Sequence, residues 1–191
     1  MLIRHADPTA DADACAAIYA PSVSGGVASF EEQTPSHQEM ARRIRTTSVH
    51  YPWLIAEADG EPVGYAYATE HRWRSAYRWT ADTTVYIAPS HHRRGVGRAL
   101  YGALFELLTR QGLYTAVAGI TLPNDASVGL HEAMGFELVG VYRDIGYKHG
   151  KWLSVGWWQA QLREARDGET PVNPGPPARL PGTPEPGPAQ L

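Results

Sequence analysis

From Val85 to Leu100 the chain reads VYIAPSHHRRGVGRAL. This pattern predicts a strand that ends at a proline, a basic loop with two glycines, and an amphipathic helix that begins at once. Such a turn places backbone N–H groups and a helix N-terminus at the end of a strand, which favours a phosphate or pyrophosphate ligand. Taken alone, the glycine pair is equally typical of a tight strand-to-helix turn. The segment is not a Walker loop, and Leu100 stands where the dinucleotide-binding fingerprint needs its third glycine.

The rest of the chain alternates between strand and helix patterns. Strands are predicted at Leu2–His5, Trp53–Ala58, Val63–Thr69, Trp79–Ile87, Tyr114–Thr121, Phe136–Tyr142 and Lys151–Gln161. Helices are predicted at Asp11–Tyr19, Pro35–Thr47, Gly95–Arg110 and Asn124–Met134. Thr34 is the expected cap of the second helix, and Gly112 the expected end of the third. The order predicts a mixed α/β fold with the basic loop after a central strand.

The length of 191 residues predicts one folded domain followed by a tail. Residues 1–165 form the expected domain, which is large enough to bury roughly two-thirds of its unfolded surface. Residues 166–191 are rich in proline and contain almost no large apolar side chains, so we expect a disordered tail. A proline-rich ligand for a partner domain is the alternative interpretation of this segment.

Charge and cysteine content narrow the class of protein. The net charge of −3 and the absence of a basic stripe disfavour nucleic-acid binding. The single cysteine, Cys15, excludes an intramolecular disulfide and fits a reducing, cytoplasmic compartment. The first residues lack an apolar signal core, and no run of about 18 apolar residues predicts a membrane span.

Two elements around the basic loop resemble a known superfamily. Residues 92–97, HRRGVG, resemble the acetyl-CoA pyrophosphate loop of the GNAT superfamily of N-acetyltransferases, with His92 where glutamine or arginine is usual. Asn124 and the segment HEAMGF at 131–136 resemble its second cofactor element. The blocks at 51–57, 76–86, 122–128 and 146–152 are similar to the phosphinothricin/methionine sulfoximine N-acetyltransferase family, and the resemblance spans about residues 2–162.

The resemblance implies a GNAT fold, in which helices flank a central, mostly antiparallel, twisted sheet with splayed central strands. It also implies acetyl-CoA as co-substrate and no metal. The residues that it assigns to the cofactor are Val85, Tyr86 and Ile87 along the pantetheine arm, His92, Arg93, Arg94, Gly95, Val96 and Gly97 around the pyrophosphate, and Asn124 on the second element.

Strand alternation bears on the catalytic base. It places Asp82, Thr84 and Tyr86 on one face and Thr83, Val85 and Ile87 on the other, unless a β-bulge alters the phase. The family pattern has glutamate at the position of Asp82, so the resemblance implies that Asp82 is the general base. Its shorter side chain makes a bridging water the alternative to direct proton abstraction. A solvated or capping carboxylate is the simpler interpretation of Asp82.

The resemblance also selects one histidine. His131 stands where many superfamily members have a tyrosine that protonates the leaving thiolate, and the narrower family has histidine there. Histidine titrates near neutrality and serves as acid or base, although an ordinary surface histidine is the alternative. The remaining histidines without comparable support are His5, His37, His50, His71, His91 and His149.

Substrate recognition is expected from a basic segment before the central strand. Arg72 and Arg74 present guanidinium forks, which suit the carboxylate and second polar head of an amino-acid-like substrate, although a solvated loop is the alternative. Phe30 matches a pocket aromatic of the family or is a core residue. The remaining substrate-binding residues that the resemblance implies are Tyr77, Thr83 and Thr84. It further implies a homodimer, and the tryptophans at 152, 157 and 158 fit a core or an interface.

These observations predict direct attack of a small substrate's amine on the thioester, with a backbone N–H near Val85 stabilising the oxyanion. The same chemistry on a peptide N-terminus, a polyamine or an antibiotic is one alternative. A CoA-binding protein without catalysis is another, because aspartate replaces the expected glutamate at the base position.

Overall fold

The computed structural model describes residues 1–181, and within them seven strands form one sheet flanked by four helices. The strands are β1 Leu2–His5, β2 Trp53–Ala58, β3 Glu61–Glu70, β4 Thr80–Ile87, β5 Thr115–Leu122, β6 Glu137–Lys148 and β7 Lys151–Gln161. The helices are α1 Ala12–Ser24, α2 His37–Ser48, α3 Val96–Gln111 and α4 Asp125–Ala133. None of the helices in this part of the chain is long and apolar enough to cross a bilayer.

The sheet has the order β1-β2-β3-β4-β5-β7-β6, and its one parallel pair is β4 with β5. Pairing between these two strands begins at Thr80 and ends where Asp82 lies opposite Val117. Both strands continue beyond that point without pairing, so the sheet opens between them. The predicted mixed α/β fold with splayed central strands is confirmed.

The alternation predicted for β4 is also confirmed. Its ladder with β3 runs without a register shift from Ala81 to Ile87, so no bulge alters the phase on that side. Val85 and Ile87 pack with the large core that contains the apolar face of α3. Tyr86 packs with a second core formed by α1, α2 and the other face of the sheet. Neighbouring residues of β4 therefore serve opposite faces.

Element boundaries differ from the sequence prediction in two helices and one strand. Helix α1 continues to Ser24, past the predicted end at Tyr19 and through Pro21. Helix α2 begins at His37, and its cap is Ser36 rather than Thr34, because Ser36 has an extended backbone and its side chain accepts from the Glu39 N–H. Strand β6 continues to Lys148, well beyond the predicted Tyr142. Its pairing with β7 shifts register twice, and such irregularities obscure the two-residue period.

The chain after β7 has no helix or strand as far as residue 181, yet it contacts the domain. The Trp79 indole donates to the Val172 carbonyl at 2.9 Å. Gly175 donates to the Gln111 carbonyl at 2.8 Å, and the Leu180 N–H donates to His5 Nε2 at 3.0 Å. The disordered tail over 166–191 stays a prediction, and its residues 182–191 lie outside the described chain.

Candidate active site

The basic loop presents unpaired backbone donors. Arg93 and Gly95 both have positive φ, 60° and 83°, and only glycine adopts the second without strain in an ordinary turn. From Arg93 to Arg98 no backbone N–H donates to another group within residues 1–181. These donors lie at the N-terminus of the 16-residue helix α3, whose dipole favours negative charge. The loop therefore has the geometry of a phosphate site.

Two residues of this loop, His92 and Gly97, affect how it packs against its surroundings. His92 Nε2 donates to the Ile87 carbonyl at 2.9 Å, so the unusual histidine closes the loop back onto the end of β4. Gly97 is buried, and a Cβ at that position would lie 2.7 Å from Leu130 Cδ2. A side chain at the second glycine would therefore displace Leu130 of α4.

A groove of about 800 Å³ runs from this loop into the opening between β4 and β5. Of the residues predicted to bind cofactor, those lining it are Val85, Tyr86, Ile87, His92, Arg93, Gly95, Val96, Gly97 and Asn124. Arg94 is exposed and does not line it. Thr83 and Thr84, predicted to bind substrate, line this groove as well. Asn124 caps α4 by accepting from the Ser127 N–H at 3.1 Å.

His131 lies at the inner wall of the groove, where both ring nitrogens are already hydrogen-bonded. Nδ1 donates to the Ser127 carbonyl at 2.8 Å, which leaves Nε2 to accept from the Tyr101 hydroxyl at 2.8 Å. His131 is 4% exposed, and burial lowers the pKa of its imidazole. Burial also raises the pKa of Tyr101. At neutral pH the pair is therefore uncharged, and the imidazole has no free lone pair.

Asp82 forms a different pair on the other face of β4. Its Oδ1 lies 2.7 Å from Nδ1 of His71, the first residue after β3. Burial raises the pKa of the Asp82 carboxyl, while the hydrogen bond from His71 and the charge of Arg72 act in the opposite direction. No arginine or lysine of residues 1–181 forms a salt bridge with this carboxylate. His71 had no support from the sequence, yet it is the residue that Asp82 contacts.

A second cavity of about 460 Å³ lies beside the groove and shares Ala28, Gly119 and Thr121 with it. Its remaining lining residues are Phe30, Arg72, Tyr142, Ile145, Val155 and Trp157. The structure therefore brings two predicted substrate residues, Phe30 and Arg72, to one cavity. Asp82, Arg74 and Tyr77 line neither space. The Arg74 guanidinium lies over the Trp73 ring, and the Tyr77 ring has an edge contact with His71.

The loop that carries Phe30 is held by a buried lysine. Lys148 is 5% exposed, and its Nζ donates to the carbonyls of Val23 and Ser29, both at 2.7 Å. Next to it, Gly146 admits the Phe30 ring, because a Cβ on this glycine would lie well inside contact distance of that ring. The end of β6 thus fixes one wall of the second cavity.

The sequence did not predict three residues of the site, namely His71, Tyr101 and Lys148. Each acquires its role from a contact between distant segments, since Tyr101 meets His131 30 residues away and Lys148 meets Val23 125 residues away. The one usable signal was the aspartate at the expected glutamate position, which called for a partner that extends its reach. Within residues 1–181 no group of three or more His, Cys, Asp or Glu side chains is arranged to hold a metal ion.

Comparison with known proteins identifies a family model and several relatives that are named as N-acetyltransferases. The family model for the acetyltransferase (GNAT) domain matches residues 3–157. A phosphinothricin N-acetyltransferase of Streptomyces viridochromogenes is 45% identical over 146 residues, which are 76% of this chain and 75% of that protein. The L-methionine sulfoximine/L-methionine sulfone acetyltransferase of Salmonella typhimurium is 34% identical over 165 residues, 86% of this chain and 96% of that protein.

A solved structure with a similar fold also belongs to this group of enzymes. A GNAT superfamily phosphinothricin acetyltransferase from Sinorhizobium meliloti, crystallised with AcCoA, is similar with a TM-score of 0.84 and 37% identity, over 90% of this chain and 92% of that one. The splayed parallel pair, the donor-rich loop and the two adjoining cavities fit this relationship. The chain belongs to the GNAT acetyltransferase family.

Proposed function

We propose that this protein transfers the acetyl group of acetyl-CoA to the amine of a small amino-acid-like substrate of the phosphinothricin or methionine sulfoximine type. One observation carries the proposal most directly, which is that the groove at the basic loop shares wall residues with a second, smaller cavity lined by Arg72 and Phe30. A donor and an acceptor bound in these two spaces meet at the opening between β4 and β5. Holding both reactants at one point is itself a large part of catalysis.

The cofactor is assigned to the groove by the chemistry of its walls. The free N–H groups from Arg93 to Arg98 would hold the pyrophosphate, and the unpaired edge of β4 would accept the pantetheine arm as an added strand. An N–H near Val85 is the proposed oxyanion donor. Two proteins of similar structure are crystallised with acetyl-CoA, which supports this assignment.

The acceptor is assigned to the second cavity. Arg72 supplies a guanidinium fork for the substrate carboxylate, and Phe30, Tyr142 and Trp157 surround its apolar part. Asp82, the last residue of β4 that pairs with β5, supplies the carboxylate of the proton-accepting group of the site. His131 contributes by holding the Tyr101 hydroxyl at the groove wall. These roles follow from position and chemistry and are part of the proposal.

The test is thiol release from acetyl-CoA across an amine panel that contains phosphinothricin, methionine sulfoximine, methionine sulfone, ordinary amino acids, a polyamine and a peptide. We expect turnover with the first three. Turnover only with peptides or polyamines would overturn the substrate assignment. Stabilisation by CoA without thiol release from any amine would identify a non-catalytic CoA-binding protein.

We further propose that the protein acts as a homodimer. Strand β6 lies at the edge of the sheet, and apolar side chains stand exposed along it and at the start of β7, including Val139 at 67%, Tyr147 at 60% and Trp152 at 64%. An uncovered apolar edge of this kind favours association. Tyr142 and Ile145 belong both to this strand and to the second cavity, so a second copy on this surface would lie close to the acceptor.

Analytical ultracentrifugation tests the dimer. Val139→Lys is expected to shift the protein toward monomer, because it places a charge in the interface. Leu2→Lys, an exposed apolar position on the opposite edge strand, is the matched control and is expected to change nothing. A monomeric native protein would contradict the proposal. The cytoplasm is the proposed location, supported by Cys15, which is buried and unpaired.

A further inference from the structure

The contact between His71 and Asp82 has a specific chemical consequence. A carboxylate only accepts hydrogen bonds, so the short contact to Nδ1 fixes the proton of the neutral imidazole on that nitrogen. Nε2 then carries the lone pair. No group within residues 1–181 forms a hydrogen bond with Nε2. His71 therefore combines a carboxylate on one ring nitrogen with a free acceptor on the other.

His71 is not one of the residues that line the proposed acceptor cavity, but it lies next to two that do. Its ring makes edge contacts with Tyr77 and with Trp157, at centroid distances of 5.9 and 6.4 Å, and Trp157 lines that cavity. The following residue, Arg72, lines the same cavity. The side chain keeps 16% of its surface exposed, so the ring is held by its neighbours without being sealed.

We propose that His71, oriented by Asp82, is the catalytic base that takes the proton from the substrate amine. This inference rests on the proposed function. The imidazole ring lengthens the reach of the aspartate, whose side chain is one methylene shorter than the glutamate that the family pattern has at this position. Asp82 holds the ring in the tautomer with a free Nε2 and stabilises the imidazolium that forms, which is how a carboxylate supports a histidine base in general.

The proton and electron movements balance without any further reactant. The ammonium of the substrate gives one proton to Nε2, and its freed lone pair attacks the thioester carbonyl carbon. The C–S bond breaks as the tetrahedral intermediate collapses, and the CoA thiolate leaves. The second proton of the attacking nitrogen passes to the thiolate, and His71 returns its proton to solvent. The products are the acetamide, CoA thiol and one released proton.

His71→Asn is the informative variant, because its amide nitrogen replaces Nδ1 and keeps a donor for Asp82 while Nε2 is lost. We expect kcat with the best amine of the panel to fall about 10²- to 10³-fold, and KM for acetyl-CoA to change by less than about twofold. The matched control is His149→Asn in the turn before β7, which is exposed and has a positive φ that asparagine tolerates. It is expected to keep wild-type activity.

Chemical rescue separates catalysis from a structural role. His71→Ala opens space beside Asp82, and added imidazole is expected to restore its turnover at least about tenfold, whereas Asp82→Ala gains nothing from imidazole. A His71→Asn variant within about threefold of wild-type kcat would overturn the proposal, as would a His71→Ala variant that imidazole does not restore.

A measurement that does not depend on turnover distinguishes this inference from the proposed function. Nitrogen-15 NMR of the wild-type protein is expected to show His71 protonated at Nδ1 and unprotonated at Nε2. If Nε2 carried the proton in the neutral ring, the proposed role of His71 as a base oriented by Asp82 would be wrong even in an active enzyme. Absence of thiol release with every amine would overturn the proposed function while leaving this tautomer in place. The charged and titratable groups around the pair are Glu70, Arg72, Tyr51 and Tyr77.

Discussion

His131 and His71 lie on opposite sides of the sheet, and their surroundings differ in the feature that matters for proton transfer. His131 packs against Tyr101 of α3 and has both ring nitrogens hydrogen-bonded within the protein. His71 has a carboxylate on Nδ1 and no described partner on Nε2. A histidine whose lone pair is already used stabilises and orients its neighbours, while one with a free lone pair beside a carboxylate takes protons. Position near the groove alone does not separate these roles.

Removal of the Asp82 carboxylate is expected to have the largest effect on activity, and it tests whether His71 differs from His131 in taking protons. In Asp82→Ala the His71 ring loses its orienting carboxylate, and the site loses its negative charge. We expect kcat/KM for the amine to fall about 10³-fold, measured as thiol release. Glu132→Ala removes an exposed carboxylate next to His131 and serves as the control, with activity close to wild type. Full turnover of Asp82→Ala would exclude any proton-accepting role for this pair.

Tyr101→Phe tests the other histidine. It removes the hydroxyl that donates to Nε2 and leaves a buried acceptor unpaired, at a cost of about 1–3 kcal/mol. For a domain of this size that corresponds to a decrease in Tm of about 2–12 °C. Tyr114→Phe removes a hydroxyl that forms no hydrogen bond within residues 1–181, and it is expected to leave Tm unchanged. An unchanged Tm in Tyr101→Phe would mean that the hydroxyl contributes nothing to the stability of this cluster.

Asp82→Glu separates direct proton abstraction from the action of His71. The longer side chain pushes against a ring held at 2.7 Å, so we expect kcat to fall about tenfold. If Asp82 abstracted the proton itself and lacked reach, the same substitution would raise the rate instead. Steady-state kinetics of this variant beside wild type decides between the two, and a higher rate would favour the carboxylate as the base.

The smallest expected effect is on the pH dependence of stability. Burial lowers the pKa of His131 in the folded protein, so the unfolded chain binds a proton that the folded chain resists as pH falls through the ordinary histidine range. The contribution of neutral His131 to the free energy of unfolding is therefore fully present above that pH range and is lost as the pH falls below it. Comparison of Tm at about pH 7.5 and about pH 5.5 should show a smaller decrease in His131→Gln than in wild type.

His5 provides the internal check on that measurement, because burial and the charge of Arg179 lower its pKa in the same direction. His5→Gln is expected to reduce the decrease in Tm as well, and the two substitutions should act independently because the two histidines share no hydrogen-bond partner. A decrease in Tm that neither substitution alters would show that other groups control this pH range.

Much of the fold followed from the sequence, because the signals were local. Gly95 and Gly112 mark the two ends of α3 by their positive φ, as a glycine before and after an apolar periodic segment indicates. The alternation along β4 correctly separated the face of Asp82 from that of Val85. Local rules failed where a neighbouring residue competed, as at the cap of α2, or where bulges interrupted a strand, as in β6.

By itself the sequence determined the glycine turn before α3, the order of the elements and the family, since each depends on residues close together in the chain. Only the tertiary structure decided which side chains share the site. The antiparallel turn from β3 to β4 returns His71 to Asp82, and the last residues of β6 carry Lys148 to the carbonyls after α1. Such contacts depend on strand register and on how elements pack. A lone histidine or lysine in the sequence gives no sign of the partner it will meet.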